Sequence, residues 1–186
     1  MPTFEVELKF PAGDLASLER VLLEQGARTT GSKTQIDRYF NHPSRDFAQT
    51  DEALRLRIDG DRPRITYKGP KIDKETKTRK EIELPIGETI DDLEGMSEML
   101  LLLGFREVAT VRKERTTLEL IVDGTEIEVA LDHVAGVGSF VELEGSADEQ
   151  DVDRVRNIVL KLAQDLGLTS PERRSYLELL LSKEPA

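Results

Sequence analysis

The sequence predicts an α+β fold: a closed, eight-stranded antiparallel β-barrel with amphipathic helices packed outside it. Three observations carry that expectation. Eight short stretches alternate apolar and polar residues with period two, the mark of strands with two different faces. The polar row of those stretches is ionic rather than merely hydrophilic, and rich in arginine. Three longer segments repeat Leu, Val, Ile and Met at helical spacing and stop at glycine. Eight antiparallel strands is about the number that closes around one small ligand. The ionic rows would then point inward and the apolar rows outward, beneath the helices.

The first strand, "FEVELKF" (4–10), alternates Phe4, Val6, Leu8 and Phe10 with Glu5, Glu7 and Lys9. The helix "DLASLERVLLEQG" (14–26) follows, with Leu15, Leu18, Val21 and Leu22 on one side and Gly26 as its stop. Next comes "GARTTGSKT" (26–34), which nearly matches a phosphate-binding P-loop. Ser32 separates Gly31 from Lys33, however, and the segment follows a helix, so the match is rejected and a turn is expected. A strand is expected over 36–40. The strand 53–59 sets Arg55 and Arg57 opposite Leu54, Leu56 and Ile58. The strand 63–68 sets Arg64, Thr66 and Lys68 opposite Ile65 and Tyr67, and the strand 79–86 sets Arg79, Glu81 and Glu83 opposite Ile82 and Leu84. Between them, the Lys-rich stretch 68–80 reads as a solvated hairpin end.

The second helix, "IDDLEGMSEMLLLLG" (90–104), closes at Gly104. Strands at 110–122, 125–131 and 139–144 align Lys113, Arg115, Thr117 and Glu119, then Glu126, Glu128 and Asp132, then Glu142 and Glu144. A third helix, 151–167, closes at Gly167, and "RSYLELLLSK" (174–183) reads as a short final helix. A Glu-x-Glu strand leading into a helix recurs at 5–8, 81–84 and 141–145 at unequal spacings. That echo predicts a folded-back symmetry rather than a solenoid.

Composition narrows the function. A chain of 186 residues fits a single domain spanning 1–186 and can bury roughly two-thirds of its unfolded surface without staples. Cysteine is absent, which excludes disulfides, thiolate metal sites and a cysteine nucleophile, and suits a reducing cytoplasm. The start carries no basic segment followed by an apolar core, and the longest apolar run, 99–105, is far too short to cross a bilayer. A net charge of −11 argues against a general nucleic-acid binder. Yet residues 55–80 hold ten Lys or Arg (55, 57, 62, 64, 68, 71, 74, 77, 79, 80) against four acids (59, 61, 73, 75), a local +6. An acidic chain with one basic segment points to an anion held locally.

A lumen lined with both signs of charge must balance them, because unpaired buried charges cost several kcal/mol each. Clustered carboxylates repel unless a divalent cation sits among them. Clustered Arg and Lys repel unless they surround an anion, and the arginine fork suits phosphate oxygens. Together these requirements describe a metal–polyphosphate site.

At this point the sequence resembles a known family. Glu5-x-Glu7-x-Lys9 is similar to the signature of the CYTH superfamily, the triphosphate tunnel metalloenzymes. Further matches follow in register: "DRYF" (37–40), "LRLR" (54–57), "TYKGP" (66–70), "RKEIE" (79–83), "RKER" (112–115), "LDHVAGVGSFVELEG" (131–145) and "RRSYLELL" (173–180). Each is short, but eight in register span essentially the whole chain. The last two look most like the class IV adenylate cyclase branch, the CyaB-like proteins. The resemblance implies a closed eight-stranded tunnel in which Glu5, Glu7, Glu142 and Glu144 ligate Mg²⁺ or Mn²⁺. By the same resemblance Lys9, Arg55, Arg57, Lys68, Arg79, Lys113 and Arg115 hold the triphosphate. Glu81, Glu83 and Asp132 would ligate metal, orient basic residues or position a nucleophile, and Arg174 and Tyr176 would close one mouth of the tunnel.

The expected partner is a nucleoside triphosphate or inorganic triphosphate, with no nucleic acid and no membrane; a homodimer is compatible. Three functions remain open: a class IV-like cyclase converting ATP to cyclic AMP and pyrophosphate, a triphosphatase, and a non-catalytic polyphosphate binder. The intact Glu pairs disfavour the last, since holding an anion needs only cations. Absence of Trp counts against a stacked thiamine ring. His42 reads as a surface residue, His133 as a structural residue near enough to approach the site, and Tyr39 and Tyr67 as packing residues.

Overall fold

A computed structural model describes residues 4–60, 62–71 and 79–183. Eight strands close into one antiparallel barrel: β1 (Phe4–Pro11), β2 (Arg28–Asn41), β3 (Ala53–Asp59), β4 (Arg62–Lys68), β5 (Arg79–Pro85), β6 (Arg106–Val122), β7 (Thr125–Val134) and β8 (Gly138–Ala147). Their order around the barrel is β1-β5-β4-β3-β2-β6-β7-β8. Closure rests on a short seam between β1 and β5, where Phe4 pairs with Lys80 and Glu5 with Arg79. Long pairings such as β1 with β8, from Phe4↔Ala147 to Pro11↔Phe140, fix the register of the charged rows.

Five helices accompany the barrel: α1 (Leu15–Glu24), α2 (Phe47–Thr50), α3 (Ile90–Leu102), α4 (Val152–Asp165) and α5 (Tyr176–Leu181). Local chemistry sets their ends. Asp14 accepts from Ser17 N (3.0 Å) to start α1, and Thr89 with Asp92 forms a capping box at α3. Gly104, at φ +90°, turns the chain out of α3 as expected of a glycine stop. Much of the outward surface of the strands is buried under helices, while Ile82 and Leu84 on β5 and Val108 and Ile121 on β6 stay exposed. Val6, Leu8, Ile127, Val129, Leu143, Val155, Val159 and Leu162 form one cluster under α4. Leu54, Leu56, Phe40, Leu93 and Leu100 form a second under α3. Each such side chain contributes about 1.5–3 kcal/mol on burial. Among the described residues no helix is long and apolar enough to cross a membrane.

The expected echo is present: β1 leads through α1 into β2, β5 leads through α3 into β6, and β1 pairs with β5 as β2 pairs with β6. Several boundaries differ from expectation. The stretch read as a turn over 26–34 is largely strand, because Arg28–Thr34 pairs with β6 across a register shift at Thr29/Gly31. β6 begins at Arg106 rather than 110, β8 runs on to Ala147, and the single-turn helix α2 was not anticipated. Residues 72–78 of the Lys-rich stretch lie outside the described residues. One end of the barrel carries the connection 42–52 together with α5; the opposite end includes the tight β6–β7 turn. That turn is Asp123-Gly124, with φ 49° and 74°, the positive pair that a two-residue hairpin requires.

Candidate active site

Inside the barrel lies a cavity of about 760 Å³, large enough for a nucleotide-sized ligand. Because side chains alternate along each strand, the ionic rows read from the sequence converge on it. Glu5, Glu7, Lys9, Arg55, Arg57, Lys68, Arg79, Glu81, Glu83, Lys113, Arg115, Glu142, Glu144 and Tyr176 all line the cavity. Asp132 and Arg174 do not.

Two buried carboxylates brace the basic wall. Asp37, on β2, accepts from Arg57 Nε (2.6 Å) and Nη2 (2.7 Å), and Arg55 Nη1 lies 3.6 Å from it. Asp132, on β7, accepts from Arg115 Nε (2.7 Å) and Nη2 (2.6 Å), and from Lys113 Nζ (3.3 Å). Both are bidentate, the arrangement that fixes a guanidinium plane. Across the fold's internal symmetry the acid and base have exchanged strands: Asp37 on β2 faces Arg57 on β3, whereas Arg115 on β6 faces Asp132 on β7. Burial pushes the Asp37 carboxyl up, but the Arg57 and Arg55 charges outweigh it and hold the group well below the usual carboxylate range.

The acidic wall is built from β1 and β8, where register sets Glu7 directly across from Glu144 and Lys9 across from Glu142. Lys68 Nζ bonds Glu5 Oε1 (2.8 Å) and lies 2.6 Å from Glu81 Oε2. Glu142 receives Arg115 Nη2. Enclosure, then the neighbouring Glu5 and Glu7 carboxylates, pushes the Glu144 carboxyl well above its ordinary range. Carboxylates crowded in this way fit a divalent cation, and all-oxygen donors suit a hard one. Among the described residues no three acidic side chains are drawn together to ligand spacing. A divalent cation held here would complete its oxygen shell from water or a bound ligand.

The cations are unequally satisfied. Arg55 Nε and Arg79 Nε are buried and reach no acceptor among the described residues. Burial, followed by the Arg115 charge, brings the Lys113 ammonium down to about 8 against the pull of Glu142 and Asp132. Lys9 Nζ donates to Arg174 O (2.5 Å) and stands 4.0 Å from the Tyr176 ring centroid.

Arg174 is exposed and its side chain pairs with Glu172 (Nε–Oε1 2.9 Å), so it contributes to the mouth through its backbone carbonyl. Glu83 is exposed at the rim and accepts from Thr66 Oγ1 (2.9 Å) and Arg64 Nη1 (3.1 Å). His133 turns outward, where Nδ1 meets Ser139 Oγ at 3.1 Å, and does not approach the cavity. Tyr39 packs as expected, and Tyr67 donates its hydroxyl to Glu52 (2.5 Å). Asp37, Gln35 and Asp59 belong to the site but were not singled out. The signal was present, since Gln35, Asp37 and Tyr39 form one period-two row. It was obscured by Arg38 on the other face, which reaches outward to Glu94 (2.8 Å) on α3.

Residues 3–176 match the CYTH domain. The chain belongs to the CYTH family. A Methanocaldococcus jannaschii protein named "Putative adenylate cyclase MJ0240" is 40% identical over 178 residues, covering 94% of this chain and 97% of the relative. The adenylate cyclase CyaB of Aeromonas hydrophila is 29% identical, over 95% of this chain and 88% of its own. Among solved structures, the PH1819 protein of Pyrococcus horikoshii OT3 superposes with a TM-score of 0.85 at 39% identity, covering 97% of this CYTH chain and 99% of its own.

Proposed function

We propose that this CYTH protein is a divalent-metal-dependent enzyme that binds a triphosphate in its tunnel and, acting on ATP, forms cyclic AMP and pyrophosphate. The observation that carries the reading is the convergence of Lys9, Arg55, Arg57, Lys68, Arg79, Lys113 and Arg115, two of them with buried Nε donors lacking an acceptor among the described residues, on a cavity whose other wall is acidic. Relatives at 40% and 29% identity that bear adenylate cyclase names favour the cyclase over the hydrolase.

Glu5, Glu7, Glu142 and Glu144 would hold Mg²⁺ or Mn²⁺, which when bound supplies charge neutralisation at the phosphate oxygens. Lys9, Arg55, Arg57, Lys68, Arg79, Lys113 and Arg115 bind the triphosphate. Asp37 and Asp132 keep Arg57 and Arg115 aimed into the lumen. Such a site does little covalent work; it orients the reacting oxygens and stabilises the charge of the in-line transition state. In cyclisation the ribose 3′-hydroxyl attacks the α-phosphorus, the α–β phosphoanhydride bond breaks, pyrophosphate leaves and the hydroxyl proton is released. In hydrolysis water attacks the terminal phosphorus within the same lining, the bond from that phosphorus to its bridging oxygen breaks, and orthophosphate and the diphosphate portion leave with release of a proton. A reducing cytoplasm suits the cysteine-free chain and supplies such substrates.

Incubation with ATP or tripolyphosphate plus Mg²⁺ or Mn²⁺ tests the reading. Cyclic AMP with pyrophosphate supports the cyclase, orthophosphate alone replaces it with a triphosphatase, and absence of turnover with every substrate and metal removes the enzymatic reading.

A further inference from the structure

The C-terminal segment crosses the loop-bearing end of the barrel and is tied to it at several points. Glu172 N donates to Lys9 O (2.7 Å), Lys9 Nζ to Arg174 O (2.5 Å), and Lys183 Nζ to Val137 O (2.6 Å). Between these ties sits α5, six residues begun by a Ser175–Glu178 capping box. A helix so short is not stable alone, so its place is set by what it touches.

Its first residue, Tyr176, is buried and makes three kinds of contact. The hydroxyl donates to Asp132 Oδ2 (2.8 Å), the same carboxylate that clamps Arg115 and meets Lys113. The ring packs edge-on against Phe140 at 5.2 Å. The ring also faces two ammoniums, Lys9 Nζ at 4.0 Å and Lys113 Nζ at 5.1 Å from its centroid. A residue present only for packing needs neither cations on its ring nor a carboxylate beneath its hydroxyl; Leu179, one turn on, is equally buried without either. An aromatic face attracts an ammonium without neutralising it, whereas a carboxylate in that position would compete with phosphate. Enclosure, with Glu142 and Asp132 nearby, pushes the phenol well above its ordinary range, so it stays a neutral donor.

We propose that Tyr176 is a positioning residue for triphosphate recognition: its hydroxyl fixes the Asp132 carboxylate that aims Arg115, and its ring holds the Lys9 and Lys113 ammoniums at the lumen wall. The C-terminal segment thereby completes the cationic half of the tunnel. This role rests on the reading that the lumen binds a triphosphate.

The test is calorimetric titration of the full chain with tripolyphosphate in the presence of Mg²⁺, with thermal melts as a check on folding. Tyr176→Phe keeps the ring and removes the hydroxyl, and binding weakens about three- to tenfold, the size of one partly transmitted hydrogen bond to a charged group. Tyr176→Leu also removes the ring, and the loss is larger. In an Asp132→Asn background the loss from Tyr176→Phe shrinks, because the hydroxyl acts through that carboxylate. Wild-type affinity in folded Tyr176→Phe and Tyr176→Leu proteins, or losses that simply multiply in the double variant, overturns the positioning role and leaves the lumen reading standing. A wild-type protein that binds neither tripolyphosphate nor ATP overturns both.

Discussion

Asp37→Asn is the sharpest single perturbation of the lumen. Asp37 is 1% exposed and Arg57 is 8% exposed, so the two short bonds between them are largely shielded from bulk water. The substitution keeps the shape of the side chain and removes its charge, leaving a buried guanidinium without its counter-ion. Breaking a buried pair from one side costs about 3–5 kcal/mol. At about 2–4 °C per kcal/mol for a chain of this size, the melting temperature falls by about 6–20 °C. Urea unfolding followed by circular dichroism reads the same change as a lower midpoint at unchanged slope. The pH dependence has a definite sign. A carboxyl held below its unfolded value contributes stability that is fully present above the ordinary aspartate value of 3.8 and is lost as pH falls towards its depressed folded value. The variant therefore loses most of its deficit relative to wild type in strong acid. Tripolyphosphate, by offering Arg57 a new anion, raises the melting temperature of the variant at least as much as that of wild type. An Asp37→Asn protein with the wild-type urea midpoint at pH 7 refutes the claim that this carboxylate braces the basic wall.

Three further outcomes follow from the same geometry. Glu5→Gln abolishes turnover with ATP and Mn²⁺ while the circular dichroism spectrum remains that of the folded barrel, because Lys68 keeps Glu81 as a partner; an active variant takes Glu5 out of the metal set. Arg57→Ala weakens triphosphate binding by about 2–5 kcal/mol, as expected for one charged partner removed from a buried pair, and calorimetry measures it. Gly145→Ala tests the packing outside the barrel: a Cβ there would meet Val155 Cγ1 at 2.6 Å and Ile127 Cδ1 at 3.1 Å. Overpacking α4 against β8 in this way costs about 1–3 kcal/mol in urea unfolding, and a neutral result means α4 moves away without loss.

Much of this architecture is local and so could be read directly. Period-two rows depend only on the pleat, which is why "FEVELKF" and "ALRLRID" placed Glu5, Glu7, Lys9, Arg55 and Arg57 on one face each. Helix stops such as Gly104 depend only on backbone freedom. Boundaries were less legible where a strand owes its existence to its partner. Residues 28–34 are polar and glycine-bearing, yet they form strand because β6 offers them a ladder of hydrogen bonds. The period-two row of Gln35, Asp37 and Tyr39 puts Asp37 on the inner face, but nothing local distinguishes an acid that clamps an arginine on the next strand from one in water.

The amino-acid order alone determined which residues could be ionic and inward and how many strands carry them. Only the closed barrel decided the pairings. Glu7 meets Glu144, Asp37 clamps Arg57, and Tyr176 arrives from the far end of the chain to bond Asp132. The reason is physical: alternation is a property of one strand, whereas a salt bridge or a repelling pair depends on register across strands distant in sequence, and register exists only once the barrel has closed.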